Sequence, residues 1–195
     1  MRELKSIEEK ILDSALYLIG SNGTINVPIR AIAKEAGVNV SAINYYFGTK
    51  EEMLRHTKEF FIENTKRIYS ILDENEIPVE ERLILFANEI MEHTLRYSGL
   101  TAILKEASKL KEEDETARII VEVTKELHKK MEIHLNEVIK GTANESKFNL
   151  LIFMSAIIYP AEKGEIPMDG ISDLNEKDER LAYIYHLIRS LKRKE

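Results

Sequence analysis

The stretch from Asn26 to Met53, NVPIRAIAKEAGVNVSAINYYFGTKEEM, decides the reading of this chain. It predicts a helix, a tight turn at Ala36-Gly37-Val38-Asn39, a second short helix, and the capped start of a third. Ile29, Ile32, Ala33 and Ala36 fall at helical spacing and make one buried stripe. Asn26 is suited to cap the first of these helices, with Pro28 tolerated in its first turn. Gly37 supplies the left-handed residue that stops it. Asn39 caps the next helix, which runs through Tyr46 and turns Val40, Ile43 and Phe47 inward. Gly48 ends that helix, and Thr49 with Glu52 forms a capping box that starts another at Lys50. Two short helices around a glycine turn are the pattern of a helix-turn-helix, whose second helix enters the major groove of DNA.

Upstream, Ser6 and Glu9 make a further capping box. Ile7, Ile11, Leu12, Ala15, Leu16 and Ile19 then give an amphipathic helix over about 6–20, ended by Gly20 and Gly23. Downstream, the helix from Lys50 is expected to reach about Leu72. Further helices are predicted at about 79–97, 100–110, 114–140, from 143 to near Tyr159, and 176–192. Pro160 to Asn175 holds two prolines and two glycines and reads as a loop. No strand pattern, repeat or low-complexity tract is found. The expected fold is all-α, with about nine helices: an N-terminal three-helix DNA-binding domain over 1–49, then a helical domain over 50–195.

The composition suits that reading. The chain has 195 residues, few Gly and Pro, and no cysteine, so disulfides and thiolate metal sites are excluded. This fits a reducing cytoplasm, and no secretory signal opens the chain. The longest apolar run, Leu150 to Met154 extended to Tyr159, is far short of the roughly 20 residues that span a membrane. It reads as a buried helix or a subunit interface.

The net charge of -6 is unusual for a DNA binder. Its distribution removes the conflict. Residues 1–55 hold seven Lys+Arg and seven Asp+Glu, so the acidity belongs to the rest of the chain. A neutral reader gains little from bulk electrostatics and must rely on a few placed groups.

The order Ile32-Ala33, Ala36-Gly37-Val38, Ser41, Ile43-Asn44-Tyr45-Tyr46-Phe47 and Gly48-Thr49-Lys50-Glu51-Glu52-Met53 resembles the tetracycline-repressor (TetR) family. The resemblance covers about 50 residues without an insertion. It implies a regulator that binds a double-stranded DNA operator. Ser41, Ala42 and Tyr45 would lie toward base edges in the major groove, and Val40 joins the DNA-binding set at the start of the helix. Arg30 would reach a base or phosphate, Tyr46 a phosphate, and Lys50 a phosphate at a helix N-terminus. The sequence departs from the family twice. Asn44 stands where the family usually has a phosphate-contacting Tyr. Val27 and Pro28 stand where it often has Thr, and Asn26 is the candidate replacement for that contact.

The resemblance also implies a homodimer built on the last two helices, and a pocket for a small-molecule effector among the middle ones. Interface candidates are Ile152, Ser155, Ala156, Tyr159, Tyr183 and Leu187. The all-round apolar character of the helix from 143 supports a dimer independently, because a lone protomer would expose it. Pocket candidates are Phe61, Phe86, His93, Tyr97, Leu104, Thr124, His128 and Phe153. No resident cofactor or metal is expected, and the function implied is a repressor released by its effector. The alternatives are an activator with the same reader, or a helical metal-binding enzyme. A di-iron bundle needs Glu-x-x-His on facing helices, and Glu92-His93, Glu126-Leu127-His128 and Glu132-Ile133-His134 have other spacings. HExxH, a Gly-rich phosphate loop and G-x-S-x-G are all absent from the sequence. His128 and Glu132 at i, i+4 suit a shared metal or an ordinary surface pair.

Overall fold

The computed structural model describes residues 6–99, 101–162 and 173–192, the side chains of 161 and 162 excepted. Every regular element among them is a helix. In order these are α1 (Ile7–Asn22), α2 (Ile29–Glu35), α3 (Val40–Phe47), α4 (Lys50–Ser70), α5 (Val79–Arg96), α6 (Thr101–Leu110), α7 (Glu115–Val138), α8 (Ala143–Glu162) and α9 (Lys177–Leu191). A 3-10 turn, Ile71–Asp73, follows α4. No helix among the described residues is long and apolar enough to cross a membrane.

The caps form as their residues require. The Glu9 amide donates to Ser6 Oγ at 3.1 Å, the Ala42 amide to Asn39 Oδ1 at 2.8 Å, and the Glu52 amide to Thr49 Oγ1 at 3.1 Å. Thr142 and Glu145 bond in both directions at the start of α8, each backbone N–H to the other's side chain.

Three expected boundaries move. α1 does not stop at Gly20 but runs to Asn22 and is ended by Gly23, at φ 63. Gly20 serves another purpose, since a Cβ built there would lie 2.2 Å from the Ser98 carbonyl oxygen. Asn26 does not cap α2, which begins after Pro28 with no side-chain cap. The fixed φ of proline presets the helix start on its own. α8 continues through Pro160 to Glu162 rather than yielding to a loop. Proline removes one helical hydrogen bond, which is tolerable in a last turn. The rest of the expected 160–175 loop that is described, residues 173–175, is non-helical.

The chain forms two compact units: Met1–Thr65 with Arg96–Thr124, and Lys66–Leu95 with Lys125–Glu195. This cut differs from the expected one between 49 and 50. Apolar faces of α4, α6 and α7 pack with the reader helices into one core, so those segments join the first unit. That core holds Ile11, Leu16, Ile32, Ile43, Phe47, Met53, Phe60, Ile103 and Ile120. The second core holds Leu83, Phe86, Met91, Met131, Leu135, Phe153, Ile157, Ile184 and Ile188. Each such side chain removed from water contributes roughly 1.5–3 kcal/mol.

Polar links complete the first unit. Buried Asp13 on α1 accepts from Arg96 Nη2 at 2.5 Å and from the Tyr97 hydroxyl. Burial, and then the Asp13 bond, push the Tyr97 phenol up to about 12. Burial opposes the Arg96 charge, but the hydrogen bonds to Asp13 and Tyr97 outweigh it and raise its pKa. Lys58 of α4 lies 3.6 Å from Glu106 on α6 and 3.7 Å from Asp114 ahead of α7. In the second unit, buried Arg180 donates to Asn88 Oδ1 and to the carbonyls of Leu174 and Asn175.

Candidate nucleic-acid interface

The turn between α2 and α3 closes as a glycine C-cap. The Val38 amide donates to the Ala33 carbonyl at 2.9 Å and the Gly37 amide to that of Lys34 at 3.2 Å. Gly37 sits at φ 67, where a side chain would be strained. Ile43 and Phe47 bury the inner side of α3 in the first core. A helix advances by about 100° per residue, so the side opposite this pair carries Ser41, Ala42 and Tyr45, with Asn44 and Tyr46 on its flanks.

Exposure follows that geometry. Tyr45 is 83% exposed, and Tyr46 reaches solvent as well. Ser41 and Asn44 are exposed, while Ala42 and Val40 are half-buried. Val40 also packs against the first core, which leaves it less surface to offer than its neighbours. The rings of Tyr45 and Tyr46 meet edge to face, 5.2 Å apart at 85°. Tyr46 lies against Phe47, and Phe47 against His56 of α4, so buried Phe47 steadies the aromatic row.

Two cations stand on the helices either side of α3 in the chain. Arg30, in the first turn of α2, is exposed. Lys50 opens α4, and its Nζ donates to Asn26 Oδ1 at 3.3 Å. Two candidates 24 residues apart are thus brought together, and Asn26 serves Lys50 rather than α2. Arg55, one turn along α4, is committed elsewhere: it donates to Glu52 at 2.8 Å and to Glu59 at 2.5 Å. The hydrogen bond from Arg55, then its charge, holds the Glu52 carboxyl below its usual range. The exposed groups beside α3 are therefore amide, hydroxyl and aromatic, with the Lys50 ammonium at a helix N-terminus whose amides favour an anion.

The sequence model described as bacterial regulatory proteins, tetR family, matches residues 11–57, the segment that builds this surface. Over those residues the chain is similar to that family. The HTH-type transcriptional regulator BetI of Agrobacterium fabrum is 37% identical over 57 residues. That alignment covers 29% of this chain and 28% of BetI, so this sequence spans little more than a quarter of that relative. Two solved structures share the fold over nearly the whole length. One is the ketosteroid transcriptional regulator KstR2 of Mycobacterium tuberculosis, at a TM-score of 0.72 and 17% identity, covering 98% of each chain. The other is the transcriptional regulator FadR of Bacillus subtilis in complex with stearoyl-CoA, at a TM-score of 0.56 and 20% identity, covering 94% of this chain and 96% of that one.

The pocket candidates divide between the two units. Phe61, Tyr97, Leu104 and Thr124 belong to the first, and Phe86, His93, His128 and Phe153 to the second. Phe86 and Phe153 are fully enclosed in the second core, Phe86 stacked edge-on with Tyr69 at 4.7 Å. The Tyr97 hydroxyl is committed to Asp13, and that of Thr124 to the Ile120 carbonyl. His93 is half-buried. His128 keeps an exposed surface, yet the protein crowding its ring holds its pKa below the usual histidine value by desolvation.

The interface candidates divide too. Ile152, Ser155 and Tyr159 are exposed on one side of α8. Ala156 and Tyr183 are bonded to each other, and Leu187 packs against the second core. Sequence reasoning missed two residues on that same side of α8, Phe148 at 61% and Leu151 at 66%; Tyr185 of α9 is also exposed, at 57%. The signal was there, because 148, 151, 152, 155 and 159 recur at helical spacing on one side. The all-round apolarity of α8 hid which side stays open.

Proposed function

We propose that this chain is a DNA-binding transcriptional regulator, a repressor that grips a palindromic operator as a homodimer and is released by a small molecule. The observation that carries it is α3 itself: an outer face of Ser41, Tyr45 and Asn44, anchored through Ile43 and Phe47, with Arg30 and Lys50 beside it. This is the arrangement a major-groove reader needs. The relatives named above are regulators, and the enzyme alternative finds none among them. The reader works on cytoplasmic DNA.

The dimer reading is supported by the exposed row Phe148, Leu151, Ile152 and Tyr159 on one side of α8. A contiguous apolar surface of that kind marks an interaction site. A two-fold pair places two copies of α3 in successive major grooves, roughly 34–36 Å apart. An effector acts by favouring a dimer whose readers are out of that register, and its power is limited to its differential affinity for the two states. The fatty-acyl ligand held by the FadR neighbour supports an effector of the small-molecule kind.

A gel shift on the DNA upstream of the chain's own gene tests the core of this reading. Retardation at low salt is expected. Failure on that DNA and on a pool of random duplexes would overturn it. Sedimentation tests the assembly, where a single species of 22.5 kDa at micromolar concentration would overturn the dimer.

A further inference from the structure

We propose that each half-site read by α3 has a core of A·T pairs, with Asn44 on an adenine edge and the Tyr45–Ala42 surface against thymine methyls. This rests on the reading of α3 as the groove helix. The observation is chemical. α3 runs from Val40 to Phe47 and contains no charged residue. Guanine is most often read by Arg or Lys paired to its O6 and N7, and cytosine by a carboxylate accepting from its N4 amine. α3 has neither. What it offers instead matches the other two bases. A carboxamide bonds adenine N6 and N7 together, and Asn44 is exposed on the flank of the outer face. Methyl and aromatic groups pack on the thymine C5-methyl. Ala42 lies on the outer face, and Tyr45 at its centre is the most exposed large apolar side chain described. Its ring is already oriented by Tyr46 at 5.2 Å, which lowers the entropy lost on contact. The Ser41 hydroxyl is exposed beside it and bonds either kind of base pair.

The cations nearest this surface are placed off α3. Arg30 belongs to the first turn of α2, the helix that crosses the DNA backbone in this motif. Lys50 heads α4 and is engaged by Asn26. Both positions suit phosphates, which fix register and carry no base identity. Sequence preference in the groove therefore falls to uncharged groups.

The test is selection of the full-length protein on a random double-stranded library, followed by binding of the selected duplex. Contiguous A·T pairs are expected at the centre of each half-site. Replacing their thymines with deoxyuridine, which removes only the methyl, should weaken binding by about tenfold. Asn44→Ala should relax the preference at one adenine, and Tyr45→Ala at the thymines. Half-sites centred on G·C, or full affinity for the uracil duplex, would overturn the proposal while leaving the DNA reader standing. Absence of binding to any duplex would overturn the DNA reader and this proposal with it.

Discussion

The Tyr183 hydroxyl donates a 2.7 Å hydrogen bond to the Ala156 carbonyl. That carbonyl lies four residues before Pro160, which sits within α8 and has no N–H to give it. A side chain of α9 thus supplies the bond that proline removes from α8, and joins the two helices as it does so. Tyr183→Phe should cost about 1 kcal/mol in urea unfolding. Pro160→Ala restores the backbone donor and should recover most of that loss in the Tyr183→Phe background. Equal losses with and without Pro160 would show the two residues to be uncoupled.

Gly20 of α1 lies against the Ser98 carbonyl, and a Cβ on Gly99, at φ 81, would come within 2.4 Å of the Gly20 oxygen. Both neighbours are backbone, so no flexible side chain can yield. Gly20→Ala should lower stability by about 1–3 kcal/mol through forced backbone displacement. A thermal midpoint matching that of the unsubstituted chain would refute the close approach.

Lys50 and Asn26 predict two different losses at the DNA. Lys50→Ala should weaken binding to all duplexes alike and lower the slope of log affinity against log salt by about one unit. Asn26→Ala leaves the charge in place, so affinity should fall with little change in slope. Unchanged salt dependence in Lys50→Ala would remove this lysine from the phosphate contacts.

His134 gives the second unit a pH dependence. Burial, above all, holds its imidazole below the ordinary value of 6.5; Arg82 and Lys130 act the same way, and Glu137 and Asp73 oppose. As pH falls below about 6.5, the unfolded chain takes up a proton that the folded chain resists, so stability declines until the folded form also protonates. His128, shifted in the same direction, adds to the effect. Urea midpoints should therefore be level above about pH 7.5 and decline toward about pH 5.5. His134→Asn should flatten the decline, and an unaltered pH profile in that variant would exclude His134 as its source.

The reader was legible because its signals are local. Asn39 caps α3 as its position suggests, Gly37 and Gly48 turn where left-handed residues are needed, and Ile43 and Phe47 are buried at helical spacing. Asn26 was misread as a cap. Pro28 presets α2 without one, and the oxygen of Asn26 is taken by Lys50, a partner no local window contains. Gly20 was misread as a helix stop because its neighbour in space is Ser98. Tyr97 stands among the pocket candidates, and the sequence gives no sign that its hydroxyl bonds Asp13, 84 residues away.

By itself the sequence determined the helical class, the register of the reader and the uncharged chemistry of α3. Periodicity, caps and turns act over a few residues and survive without knowledge of the fold. Only the tertiary structure decided which polar groups meet: Asp13 with Arg96 and Tyr97, Tyr183 with Ala156, and Asn26 with Lys50. It also decided which side of α8 stays uncovered. Burying a charge or leaving a carbonyl unpaired is costly unless a partner arrives from elsewhere in the chain. Where that partner stands is set by how the helices pack, and no stretch of the sequence carries it alone.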